Sequence, residues 1–205
     1  MSVLLLLLVA VVFVLPAIMP VSAGRRFVAD ILMSLILVSG VVAVAEHRKS
    51  AIVLAALSLI VILLAWTELF LNAENMPALR SLSALGAFLV LAFAVSINVF
   101  ASGHAIGDRV FGAVVLYLLL GLIWAVAYNI VALNSPGSFA GRAATATDLA
   151  DWAYFSFVTL TTVGYGDITP VAQSARSLAI LEALVGQLYP AVIIARLVSL
   201  QGSPN

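Results

Sequence analysis

The chain has 205 residues and a formal net charge of zero, with 64% hydrophobic and only 9% charged residues and a mean hydropathy of +1.23. Soluble domains carry about a quarter charged residues, so an ordinary soluble fold is excluded and an all-α integral membrane protein is expected. Balanced charge offers nucleic acid no basic surface, and the absence of cysteine removes disulfides, thiolate metal sites and thiol chemistry.

Six apolar runs are long enough to cross a bilayer: Val3–Ser22, Phe27–Ala45, Ala51–Leu71, Ser81–Phe100, Val110–Leu133 and Val171–Val198. Val21-Ser22-Ala23 would suit a signal peptidase. However, "MSVLLLLL" has no basic start and the run exceeds a leader's apolar core, so it reads as the first span. Loop charge assigns no orientation. Arg48, Lys49, Arg109 and Arg196 fall on one side, and Arg25, Arg26, Arg80, Arg142 and Arg176 on the other. Arg26 with Asp30, and Glu68 with Arg80, read as interfacial pairs, while Asp108 and Arg109 mark the entry to the fifth run. His104 reads as a solvated loop residue. The fourth run, "RSLSALGAFLVLAFAVSINVF" with the residue before it, has Arg80 at one end and no further basic residue until His104. It has almost no charge to move through a transmembrane field.

The gap between the fifth and sixth runs, Asn134–Pro170, opens with "NSPGSFAGRAATATD", which reads as a solvated turret. "DLADWAYFSFVTLTT" follows, with Asp148 as an N-cap and Asp151 in the first turn, both suited to the positive end of a helix dipole. Its apolar body, Trp152 to Thr161, is too short to span and runs into Gly164 and Gly166. This is the pattern of a re-entrant loop, whose non-helical backbone must be buried in protein or line a wet cavity. In Thr162-Val163-Gly164-Tyr165-Gly166 the glycines permit positive φ at every second position, so that successive carbonyls can face one way. Four such rows around an axis would form oxygen cages able to replace the hydration shell of a monovalent cation.

The last run carries Glu182, Gly186 and Pro190. A carboxyl at that depth is costly unless paired or wet. Glu182 would either face a central cavity or sit behind the glycine-rich stretch, bonded to Ser156 or Thr159, and in either place it is a candidate proton sensor. Pro190 removes a helical hydrogen bond. With Gly186 it reads as a hinge, the alternative being a glycine that lets a neighbouring helix approach.

Trp152 to Pro170, flanked by a span on each side, resembles the pore domain of the tetrameric potassium channels, and the T-T-V-G-Y-G-D motif is highly specific. The likeness covers roughly residues 110–200. It implies a homotetramer with six transmembrane helices and one re-entrant pore helix and filter loop per subunit. Residues 1–109 would form a four-helix domain resembling a voltage sensor without gating charges. The pore domain would comprise an outer helix (110–133), pore helix (148–161), filter (162–166) and inner helix (171–198). The carbonyls of Thr162, Val163, Gly164 and Tyr165 would bind K+, with the Thr162 hydroxyl at the innermost site and Gly164 and Gly166 supplying the backbone geometry. Tyr165 would pack with Tyr154, Phe155 and Trp152 in a cuff braced through Asp167. The family's pore loop enters from outside, which implies a multi-pass protein of the cell membrane with both termini cytoplasmic. K+ and membrane lipid are the implied partners, with no cofactor and no catalysis. Two departures stand out. Tyr154-Phe155 occupies the place of the paired tryptophans of voltage-gated relatives, and Val158 that of a glutamate found in some bacterial ones. With Asn205 a few residues past the last run, regulation is expected from the membrane part, another protein, lipid or protons. The rival functions are a subunit of an active potassium-uptake system and a non-conducting modulatory subunit.

Overall fold

The computed structural model describes residues 1–20, 22–43, isolated positions between 51 and 66, 77–100, 106–142 and 149–201. Most of the third apolar run, Arg48, Lys49, Glu68, His104, Asp148 and the side chains of Arg26 and Arg80 lie outside them. The described chain is mostly helical and divides into two units, Met1–Ile123 and Trp124–Asn205.

In the first unit, α1 (Ser2–Val9) passes through a π turn (Ala10–Val14) into α2 (Leu15–Ile18). The cause is local: Pro16 has no N–H for the helical ladder, and Leu15 instead donates to the Ala10 carbonyl five residues back. α3 (Ala23–Ala43) and α4 (Pro77–Phe100) pack together, as do α1 and α3. The fit depends on a missing side chain, since a Cβ at Gly40 would run into the Leu91 side chain. Leu4, Leu8, Ile36, Leu37, Phe88, Leu91 and Val95 form the buried interior. Trp66 donates to the Ser34 hydroxyl at 3.2 Å and meets Phe27 edge-on.

α5 (Ile106–Asn134) contributes its first part to this unit and its last turns to the second. Ser135 donates to the Val131 carbonyl, and Pro136 and Gly137 (φ 84°) then end the helix. β1 (Phe139–Gly141) pairs antiparallel with β2 (Ile168–Pro170), with Phe139 opposite Pro170 and Gly141 opposite Ile168. Between them lies α6 (Leu149–Leu160), and α7 (Gln173–Gln201) closes the unit. Asn134 to Gly137 are exposed, and the turret expectation is corrected at Ser138 and Phe139, which are buried. Phe139 meets Trp152, Phe155 and Tyr128 edge-on at 4.8, 5.7 and 5.8 Å. An aromatic ring gains more from this pocket than a polar loop gains from water.

Two described helical stretches are long and apolar enough to cross a membrane, Gly107–Asn134 and Gln173–Arg196. They flank α6, which at 12 residues is too short to cross. Ser2–Ile18, Phe27–Val42 and Ser81–Ile97 are shorter apolar helices.

Candidate functional site

The site grows from the end of α6. One face of this helix is buried through Trp152, Ala153, Phe155, Ser156 and Leu160, which holds its C-terminus in place. There Thr162 donates to the Thr159 carbonyl at 2.9 Å and Val163 to the Val158 carbonyl at 2.9 Å. These bonds form a Schellman closure, whose turning residue must be left-handed. That residue is Thr162, with φ 59°, the only non-glycine at positive φ among the described residues. Left-handed backbone costs a residue with a Cβ about 1–2 kcal/mol. Gly164 also donates to Val158, at 3.2 Å.

Gly164 (φ 59°) and Gly166 (φ 77°) continue the pattern, while Val163 and Tyr165 do not have positive φ. The handedness thus alternates over five residues. The two glycines account for two of the three left-handed positions, and closure of the helix accounts for Thr162, which sequence reasoning missed. None of the carbonyls of residues 162–166 accepts a protein hydrogen bond among the described residues. These residues are exposed within the single chain, so their carbonyls form a row of acceptors open to a partner outside it. The negative end of the α6 dipole lies at the same place.

The expected supporting residues separate into two groups. Tyr165 stacks on Tyr154, with ring centroids 6.4 Å apart and planes within 4°. Tyr154 also hydrogen-bonds the Asp167 side chain. Trp152 and Phe155 point the other way, into the Phe139 cluster. Asp167 is held by its backbone as well, since its carbonyl accepts the Arg142 amide at 2.9 Å, and Gly141 (φ 77°) lies so close to that carbonyl that a Cβ there would overlap it.

Glu182 lies behind the site, wholly buried. Its Oε1 accepts the Ser156 hydroxyl and its Oε2 the Tyr128 hydroxyl, each at 2.5 Å. One carboxyl therefore ties together α5, α6 and α7. Of the partners expected from sequence, Ser156 is present; Thr159 instead donates to the Phe155 carbonyl at 2.8 Å. Tyr128 was not expected. Its only sequence signal is a hydroxyl-bearing ring in a largely apolar helix, which Tyr117 shares.

Gly186 sits against the end of α6, where a Cβ would overlap the Leu160 carbonyl. Close approach is thus an observed role of this glycine. Pro190 lies inside α7, which remains helical through it. With no N–H, Pro190 cannot donate to the Gly186 carbonyl four residues earlier. The neighbouring Gln187 donates from Nε2 to the Thr162 hydroxyl at 3.1 Å. Among the described residues no cluster of histidine, cysteine and carboxylate side chains could hold a metal.

Residues 112–201 match the model of a protein family described as "Ion channel". Over 96 residues the chain is 40% identical to Protein LctB of Bacillus caldotenax, a stretch that makes up 44% of this chain and 71% of that protein. The chain belongs to the ion channel family. The chain is also 35% identical over 88 residues to Two pore potassium channel c of Oryza sativa subsp. japonica, covering 42% of this chain and 19% of the other. A third relative, Inward rectifier potassium channel Kirbac3.1 of Paramagnetospirillum magnetotacticum, is 36% identical over 81 residues, 38% of this chain and 24% of the other. No solved structure matches the chain. The family match begins in α5 and ends with α7, so it takes in every element of the site.

Proposed function

We propose that the protein is a potassium-selective channel of the cell membrane, in which four copies gather about one axis and conduct K+ passively. The observation that carries this reading is the row of donor-free carbonyls at residues 162–166 with its alternating backbone handedness. Four such rows would offer a dehydrated K+ a stack of oxygen cages in place of the water it sheds. The carbonyls of Thr162, Val163, Gly164 and Tyr165 and the Thr162 hydroxyl line that path. Tyr154, Tyr165 and Asp167 hold its width, and Gly164 and Gly166 allow its geometry.

The two apolar helices either side of α6 support a membrane pore, and an α6 too short to span supports a loop entering from one side. In that arrangement both termini are cytoplasmic. Gly186 and Pro190 are the place where α7 would bend, because the ladder lacks one hydrogen bond there. The helix preceding α5 has no charge beyond Arg80 to couple to voltage, so conduction is at most weakly voltage-dependent.

The deciding experiment is ion flux from liposomes holding the purified protein. The reading expects K+ to move and Na+ to be retained, with a reversal potential that follows the K+ gradient alone. A reversal potential set by another energy source would point to active uptake, and absence of flux to a modulatory subunit. Equal K+ and Na+ flux, or a purified particle that does not contain four copies, refutes it.

A further inference from the structure

α7 carries a buried stripe at helical spacing, Ala175, Glu182, Gly186 and Ile193, of which Glu182 and Gly186 meet α6. Gln187 is one step round from that stripe and exposed within the chain. From Leu178 to Leu188 the helix holds only two polar side chains, Glu182 and Gln187. Each polar group in so apolar a setting is costly unless it is bonded. Glu182 is accounted for by Tyr128 and Ser156. The bond of Gln187 reaches 25 residues back, to the Thr162 hydroxyl.

Three features make this contact more than incidental. Gly186 rests on the Leu160 carbonyl, which sets the spacing of α7 from α6 and hence the reach of the next side chain. Thr162 occupies a strained left-handed position already tied to Thr159 through its amide. Its hydroxyl is the innermost oxygen of the row, and a hydroxyl has one proton and two acceptor positions. An amide bonded to it therefore decides which lone pair remains to face an ion.

We propose that Gln187 is a positioning residue of the ion path: its amide orients the Thr162 hydroxyl and so sets the strength of the innermost cation site. This rests on the potassium-channel reading of residues 162–166. It places part of the filter's definition on the helix that lines the pore, so that displacement of α7 near Gly186 alters the site directly.

The test uses the full-length protein in liposomes and Ba2+, a divalent cation of nearly the size of K+, as the probe of that site. Gln187→Leu removes the bond at similar volume, and Gln187→Met, unbranched and of equal reach, is its companion. Each weakens Ba2+ block of K+ flux about fivefold, the equivalent of one hydrogen bond of about 1 kcal/mol. Gln187→Asn, a methylene too short to reach, behaves as Gln187→Leu does. Thr162→Val deletes the hydroxyl, and Gln187→Leu added to it produces no further loss. In Thr162→Ser, which keeps the oxygen, Gln187→Leu still costs about fivefold.

Unchanged block in the leucine and methionine variants overturns the proposal. So do wild-type block in Gln187→Asn and multiplying losses in the Thr162→Val background. A general loss of folding would lower yield and thermal midpoint without reproducing that non-additivity. Failure of the channel reading itself appears earlier, as absent or unselective flux in the wild-type protein.

Discussion

Tyr128→Phe removes one oxygen from the most enclosed polar group of the second unit. The ring stays in place, because its contacts with Phe139 and Phe155 at 5.8 and 4.8 Å involve carbon edges and faces only. What is lost is the donor to Glu182 Oε2, on a residue with no solvent-exposed surface that water could reach. Stranding a buried acceptor costs about 1–3 kcal/mol, so the expected loss of stability is about 2 kcal/mol. For a chain of this size that lowers the thermal midpoint by roughly 4–8 °C. The assay is thermal unfolding of the purified protein in detergent, with Tyr154→Phe alongside. The Tyr154 hydroxyl bonds the half-buried Asp167 at an exposed position, where water can take the place of the lost partner, so its loss lowers the midpoint less. Removing both partners should be milder than stranding one, with the Ser156 hydroxyl freed from Glu182 turning to the Trp152 carbonyl four residues back, so Tyr128→Phe combined with Glu182→Met recovers part of the loss. A Tyr128→Phe midpoint within one degree of wild type refutes the reasoning, as does a double variant whose losses simply add.

Phe139→Ala empties the pocket between Trp152, Phe155 and Tyr128 and costs about 3–5 kcal/mol, seen as a sharp fall in folded yield and thermal midpoint; a solvated residue would cost almost nothing. Gly186→Ala forces a methyl group into the Leu160 carbonyl and destabilises by about 1–3 kcal/mol, read in the same melt. Gly164→Ala and Gly166→Ala place a Cβ on backbone at φ 59° and 77°, at about 1–2 kcal/mol each. The relaxed filter lets Na+ flux rise relative to K+ in liposomes. Current recorded across a voltage ramp rises smoothly, and a tenfold increase over about 20 mV would contradict the absence of charge in α4 beyond Arg80.

Local chemistry was legible in the residues and distant pairing was not. The short α6 and the glycine alternation could be read directly, because φ sign and helix length depend on a few consecutive residues. Thr162 was only half legible: its carbonyl and hydroxyl followed from the motif, but its left-handed backbone follows from the way α6 closes on Val158 and Thr159. For Gly186 the composition allowed both a bend and a close approach, and only the position of the Leu160 carbonyl distinguishes the second as present. Gln187 and Phe139 drew no attention, one as a lone amide and the other as a lone aromatic in a polar loop.

By itself the sequence determined that the chain is apolar enough for a membrane, and that one short stretch permits alternating backbone handedness. Composition and backbone handedness need no partner to be expressed. Only the tertiary structure decided what stands behind that stretch: Tyr128 and Ser156 on Glu182, Gln187 on Thr162, Phe139 under Trp152. These pairs are joined by packing across 54, 26, 25 and 13 residues. Nothing in a side chain's own identity selects a partner at such distances until the helices are placed side by side.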